Sequence, residues 1–530
     1  MVNLVHNLIA DSAKRFPDRP ALKYLQNEIN YRQLHEQVSL FSSSLIHLGL
    51  KRSERVAIYA EKRLENVIAM FGAAKAGGVY VPVNPLLKAD QLSYILTDCN
   101  VRVLVTTSER LSGLSAILPH CPELTHIVYI GQTPNLPPTA NVKFLSWNEM
   151  QSGTQASGHR VIDQDMAAIL YTSGSTGKPK GVVLSHRNIV TGAQSVAEYL
   201  ELTHHDRLLS VLPLSFDYGM NQLTTMFLVG GMAVLMNYLF PRDIITTLDK
   251  EKITGLAAVP PLWIQLSQLP WPTTITEHLR YFTNSGGHMP KETLNALRTA
   301  LPKTKPFLMY GLTESFRSTY LPPAEIDKRP DSMGKAIPNA EIYVVRPDGS
   351  PCAPHEPGEL VHRGPLVSLG YWNDPAKTAE RFKPLPNQNK ALPFPELAVW
   401  SGDTVKMDED GYLYFVSRND EMIKTSGYRV SPTEVEEFLY NTKLIEEAAA
   451  FGITHPVLGQ VIGVIVSLSA NTSTTSEALK LECQKHLPNY MIPAHIEILP
   501  GPLPRNSNGK IDRKLLATER QHLFKGSAHG

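Results

Sequence analysis

The chain has 530 residues, too many for one hydrophobic core, so two or more domains are expected. Its 51 basic and 50 acidic residues leave a formal charge of +1, and no basic block marks a nucleic-acid footprint. Four scattered cysteines (Cys99, Cys121, Cys352, Cys483) show neither metal spacing nor a disulfide framework, no apolar run reaches spanning length, and the N-terminus lacks a secretory pattern, so a cytoplasmic protein is expected.

The opening segment, MVNLVHNLIADSAKRF, predicts an amphipathic helix with Leu4, Leu8 and Ile9 on one side. ERVAIYA (54–60) predicts a strand, NVIAMFGAAKAG (66–77) a helix closed by glycine, and VYVPVNP a second strand. QLSYILTDCN continues as a helix and VRVLVTT as a strand. This alternation, carried through the first four hundred residues, predicts βαβ units and parallel sheets. GQTPNLPPTAN (131–141) predicts a surface loop, and LLSVLPLSF (208–216) is broken by Pro213. After Ser417 the character shifts to a compact α+β segment, with EVEEFLYN and SEALKLECQKHL as helices and VIGVIVSLSA as a strand. The fold class is therefore α/β. A large domain of parallel-type sheets flanked by helices is expected over 1–418, and a small α+β domain over 419–530.

The apolar run MAAIL (166–170) leads into YTSGSTGKPKG, Tyr171 to Gly181. Its glycines let backbone N–H groups turn toward an anion. The hydroxyls of Thr172, Ser173, Ser175 and Thr176 can donate to phosphate oxygens, and Lys178 and Lys180 supply positive charge. The loop reads as a polyphosphate cradle, with ATP as its ligand. It is not a Walker A loop, because Thr172 and Pro179 occupy places where that pattern requires Gly and Ser or Thr.

YGLTES (310–315) places an aromatic, a hydroxyl and a carboxylate together. Tyr310 can stack on a purine, Thr313 can bond a phosphate oxygen, and Glu314 can hold Mg²⁺, which favours oxygen ligands together with phosphates. The small residues of NSGGHMP (284–290) let a flat base lie close to the backbone. Asp403, after the glycine of WSGD, can accept from a ribose diol. In SFDYGMNQL (215–223), Asp217 needs a cationic or donor partner if it is buried. That partner can be the ammonium of an amino acid or Arg317 from SFRST. Arg317 can instead bind a second carboxylate on the substrate.

YTSGSTGKPKG, YGLTES, GEL…RGP (358–365), GYW (370–372), WSGD (400–403), SRNDEMIKTSGYRVSPTEVE (417–436) and LPRNSNGKID (503–512) occur in this order over nearly the whole chain. Together they resemble the adenylate-forming superfamily of acyl-CoA synthetases, luciferases and nonribosomal-peptide adenylation domains. The resemblance implies a two-step ligase that uses ATP and Mg²⁺. It makes an acyl-adenylate and pyrophosphate, then passes the acyl group to a phosphopantetheine thiol.

By the same resemblance, Lys510 is the catalytic lysine of adenylation, acting with Thr172, Lys180 and Glu314. Ser173, Gly174, Ser175, Thr176 and Gly177 cradle phosphates. Ser285, Gly286 and Gly287 lie against adenine with Tyr310 and Gly311, Asp403 holds the ribose, and Arg418 helps hold ribose or phosphate. Asn284 and Met309 join Asp217, Tyr218 and Arg317 at the acyl pocket. Asp420 is the hinge of a mobile small domain, whose rotation brings Gly427 and Tyr428 of KTSGYR to a thiol tunnel. The chain departs from the family pattern in carrying Ser417, not Gly, before Arg418.

Phe216-Asp217 points to a small amino or imino acid, proline-like, loaded onto a carrier protein. The Met-containing SRNDEMIKTSGYRVSP block points instead to an acyl-CoA ligase for a fatty or aryl acid. Little sequence follows Lys510 and none of it reads as a Ser-bearing carrier domain, so the thiol is expected on a separate carrier protein or on free CoA. A nucleotide-binding regulator without catalysis would be expected to lack Lys510, Glu314 or the loop lysines, and all are present.

Overall fold

The computed structural model describes residues 2–134, 142–172, 178–287, 289–385, 388, 391, 393–418, 422–469, 472–505 and 511–524. Its first helix, Val5–Arg15, turns Val5, Leu8, Ile9 and Ser12 inward at helical spacing, with Leu4 as its N-cap. Helix Leu64–Ala76 ends at Gly77, whose φ of 85° lets its N–H return to the carbonyls of Ala73 and Ala74.

Two large sheets carry most of the chain. One contains seven strands and the other nine, and most neighbouring strands in both run parallel. Strands Arg55–Tyr59, Val79–Pro82 and Val101–Thr107 pair side by side with helices between them in sequence, as the alternation predicts. The seven-stranded sheet ends in the antiparallel pair Met166–Thr172 and Lys180–Ser185. Their register sets Thr172 opposite Lys180 at the open end of the pair.

A third sheet departs from the parallel expectation. Strands Glu341–Val345, Gly358–Arg363, Phe382–Pro384, Leu397–Met407 and Leu413–Arg418 pair antiparallel throughout. Among the described residues, the only helix between them is the short Pro375–Arg381. Parallel pairing needs a long crossover, and the link from Met407 to Leu413 is too short for one.

Residues from Ile423 onward form a smaller unit. Strands Ile423–Thr425, Tyr428–Val430, Gly459–Leu468 and Ile445–His455 pair antiparallel, and His495–Ile498 adds in parallel. This sheet buries its own apolar cluster, including Ile423, Val430, Val435, Leu439 and Val464. Among the described residues, no helix is long and apolar enough to cross a membrane.

Candidate active site

The two large sheets and the small unit meet around a cavity of about 1140 Å³. Thr172 and Lys180 reach it from the paired strand ends, and Lys180 lies with its ammonium 5.2 Å from the centre of the Tyr371 ring. Burial pushes the Lys180 ammonium below its usual range, and the nearby charge of Glu314 works against that shift. Glu314 stands in the turn Thr313–Ser315 and accepts a 2.7 Å hydrogen bond from the Tyr371 hydroxyl.

The same turn is tied to the start of a helix. Thr313 donates to Asp217 at 3.1 Å, and Asp217 is the first residue of helix Asp217–Val229. Burial pushes the Asp217 carboxyl up, while the positive charge of Arg317 and the Thr313 hydrogen bond pull it back. Helix packing here depends on Gly219, where a β-carbon would lie 1.9 Å from the Pro213 carbonyl oxygen. Tyr218 shares a 2.6 Å hydrogen bond with Thr283 and lies under Arg317, whose guanidinium carbon is 4.6 Å from the ring centre.

Phe316 turns the chain so that Arg317 faces this pocket. Its φ of 60° and ψ of −59°, with the Arg317 N–H bonded to the Ser315 carbonyl at 2.6 Å, define a tight three-residue turn. Gly192 leaves room for it, since a β-carbon there would sit 2.3 Å from the Phe316 ring.

Tyr310 and Asp403, expected at the nucleotide, do not line the cavity; the Tyr310 hydroxyl bonds to Asp403, bringing together residues far apart in sequence. Asp403 lies on strand Leu397–Met407 and pairs in register with Arg418. Ser285 and Gly286 line the cavity, and Gly286 has a φ of 83°. Gly311 lines it too.

Asn284 and Met309, expected at the acyl pocket, do not line the cavity. Asn284 is buried and closes its own turn by donating to the Gly287 carbonyl at 3.0 Å. Gly287 is likewise part of that turn and is not on the cavity wall. Met309 packs into the main core, where its sulfur accepts from Tyr199 at 2.9 Å. Ser173, Gly174, Ser175, Thr176, Gly177, Asp420 and Lys510 lie outside the described residues, as does the side chain of Arg418.

The small unit closes the cavity with a hairpin. Ser426 (φ 51°) and Gly427 (φ 82°) form a two-residue turn between Thr425 and Tyr428. Tyr428 meets the Phe216 ring edge-on at 5.4 Å and stacks on Tyr490 at 3.9 Å.

Tyr371, Glu434 and Lys62 are among the cavity residues that had no role assigned from sequence. Tyr371 stood only as part of the GYW landmark. Glu434, within SPTEVE, is pushed up to about 8 by burial and by Glu437, and its buried Oε2 has no hydrogen-bond partner. Lys62 is pulled down to about 7 by burial and donates to the carbonyls of Val211 and Leu212 at 2.6 and 3.2 Å. No local pattern in the sequence marks Lys62.

The donor set fits magnesium-bound ATP. Among the described residues there is no group of three or more His, Cys, Asp or Glu side chains that could hold a metal alone. A cation here would be held by Glu314 together with phosphate oxygens, the arrangement Mg²⁺ favours. It would supply charge neutralisation on the phosphates.

The chain matches the AMP-binding enzyme family over residues 9–372 and the C-terminal domain of the AMP-binding enzymes over residues 434–510. It belongs to this family of adenylate-forming ligases. It is 30% identical to an L-proline–[L-prolyl-carrier protein] ligase of Pseudomonas fluorescens, over 98% of this chain and 99% of that protein. It is also 30% identical to a long-chain-fatty-acid–CoA ligase of Salmonella typhimurium, over 97% of this chain and 94% of that one. A solved o-succinylbenzoate CoA synthetase of Bacillus subtilis, bound to a product analogue, aligns with a TM-score of 0.82 and 25% identity, covering 97% and 98% of the two chains. The chain spans 10% of the length of another relative, a linear gramicidin synthase subunit of Brevibacillus parabrevis.

Proposed function

We propose that this ligase activates a small amino or imino acid and loads it onto the phosphopantetheine thiol of a separate carrier protein, in the cytoplasm. The observation that carries this reading is Asp217, a half-buried carboxylate at the acyl end that accepts from Thr313 and, among the described residues, has no ion-pair partner. Burial favours its neutral form, and an arriving ammonium would restore the charged one. The prolyl-carrier ligase, matched over nearly its whole length, supports the same substrate type.

In the first step an oxygen of the substrate carboxylate attacks the α-phosphorus of ATP, and the bond to the bridging oxygen of pyrophosphate breaks. Thr172 and Lys180 bind phosphate oxygens, and Glu314 would hold a Mg²⁺ ion that neutralises phosphate charge. Lys510 offsets the charge that develops between carboxylate and phosphate. Asp403 and Arg418 hold the ribose, while Ser285, Gly286 and Gly311 border the base. In the second step the thiol sulfur attacks the acyl carbonyl, the bond to AMP breaks, and the thiol proton is lost. No side chain forms a covalent bond; the protein positions and neutralises. The small domain, 419–530, turns about Asp420 between the steps. The arrangement seen, with Gly427 and Tyr428 at the cavity, suits the second.

Pyrophosphate exchange across amino, imino, fatty and aryl acids tests this. Exchange with amino or imino acids is expected. Exchange with amine-free acids alone would replace this reading by an acyl-CoA ligase, which the fatty-acid–CoA ligase relative favours.

A further inference from the structure

Arg317 is 2% exposed and is among the largest fully buried side chains of the protein. Its Nη1 donates to Ser285 at 2.8 Å, and its face lies over Tyr218. Among the described residues its Nε and Nη2 have no hydrogen-bond partner. These two nitrogens form one edge of the guanidinium, the parallel fork that grips a carboxylate through two hydrogen bonds. A buried guanidinium with that edge empty is costly unless an anion fills it. Arg317 makes no direct ion pair with Asp217, although its charge is felt there, so the pocket wall holds a carboxylate and a guanidinium with no hydrogen bond between them.

From this geometry we infer that the acid substrate carries a second anionic group, a side-chain carboxylate, which docks on the Nε–Nη2 edge of Arg317. The inference rests on the reading that an amino acid fills this cavity, and it narrows that reading from a proline-like substrate to an acidic amino acid. The ammonium meets Asp217, the reacting carboxylate meets the α-phosphate, and the second carboxylate meets Arg317. The tight turn at Phe316 is what aims the guanidinium inward. Stacking on Tyr218 holds the plane of the fork without occupying its edge.

The test is pyrophosphate exchange with matched pairs: aspartate against asparagine, glutamate against glutamine, and succinate against succinamate, on wild type and Arg317→Met. Wild type is expected to favour the acidic member of at least one amino-acid pair by 30-fold or more in kcat/KM. Arg317→Met should erase or reverse that preference while the KM for ATP stays within twofold. Its melting temperature without ligand should equal or exceed that of wild type, because an unpaired buried charge has been removed.

Equal wild-type exchange with acidic and neutral partners would overturn the inference and leave the proposed function standing. So would a variant that loses all acids alike, since Arg317 would then hold the reacting carboxylate or an ATP phosphate. A marked fall in melting temperature would assign Arg317 a structural role and also overturn it. Absence of exchange with any amino, imino, fatty or aryl acid would instead remove the proposed function itself, and the inference with it.

Discussion

Gly427→Ala should separate the two half-reactions. A β-carbon at Gly427 would lie 2.9 Å from one Val259 methyl, 3.4 Å from the other and 3.3 Å from the Val259 β-carbon. Carbon atoms at rest sit about 3.5–4.0 Å apart, so the hairpin must retreat, carrying Tyr428 away from Phe216. Overpacking of this kind costs about 1–3 kcal/mol. At about 1.4 kcal/mol per tenfold, that lowers the share of molecules with the hairpin seated by about 5- to 150-fold. Gly427 also has a φ of 82°. Placing alanine there costs about 1–2 kcal/mol whichever way the small domain faces, so it lowers stability without shifting the balance.

The assay is rapid-quench transfer from preformed acyl-adenylate to pantetheine, with pyrophosphate exchange measured in parallel. Transfer should fall by the factor above and exchange should hold within about twofold. Adding Val259→Ala removes both crowding methyls and should restore most of the transfer rate. A parallel loss of exchange, or transfer within twofold of wild type, would refute the reasoning.

Asp217→Asn should lose amino acids by on the order of 10²–10⁴-fold in kcat/KM, because truncating one partner of a buried charge pair costs ~3–5 kcal/mol. Its activity on amine-free isosteres should be unharmed, and an unchanged amino-acid preference in the exchange assay would take the residue out of recognition. Lys510→Ala should nearly abolish exchange yet spare transfer from preformed adenylate; exchange within about threefold of wild type would remove its assigned role.

Acid should destabilise the fold through buried histidines. Burial holds His6 and His362 at about 3 and His186 at about 4, against 6.5 when unfolded. The unfolded chain therefore binds more protons, and stability is fully present above pH 6.5 and falls below it. The slope is about 1.4 kcal/mol per pH unit for each histidine. Melting temperature should drop from pH 6.5 to 5, less steeply in His362→Gln; a flat wild-type profile would contradict this.

The sequence was most legible where chemistry is local. The glycine turn that ends helix Leu64–Ala76 and the strand leading into YTSGSTGKPKG each follow from residue type and spacing. Face assignment was less so. Met309 and Arg317 flank one turn, yet Met309 enters the core while Arg317 lines the cavity. Their directions depend on the sheet around strand Lys305–Tyr310 and on the positive φ of Phe316, which no propensity predicts. Lys62 and Glu434 become site residues only because the fold seals them from water, a consequence of packing between segments far apart in sequence. The antiparallel third sheet was hidden because its strands alternate like any others.

The central claim is that a substrate carboxylate attacks the α-phosphorus of ATP and then yields its acyl group to a thiol. The most direct measurement uses whichever acid supports exchange, labelled with ¹⁸O in both carboxylate oxygens, turned over with ATP and pantetheine. The account predicts one ¹⁸O in AMP, one in the thioester carbonyl and none in pyrophosphate. Label in pyrophosphate or inorganic phosphate, or unlabelled AMP alongside thioester, would contradict it.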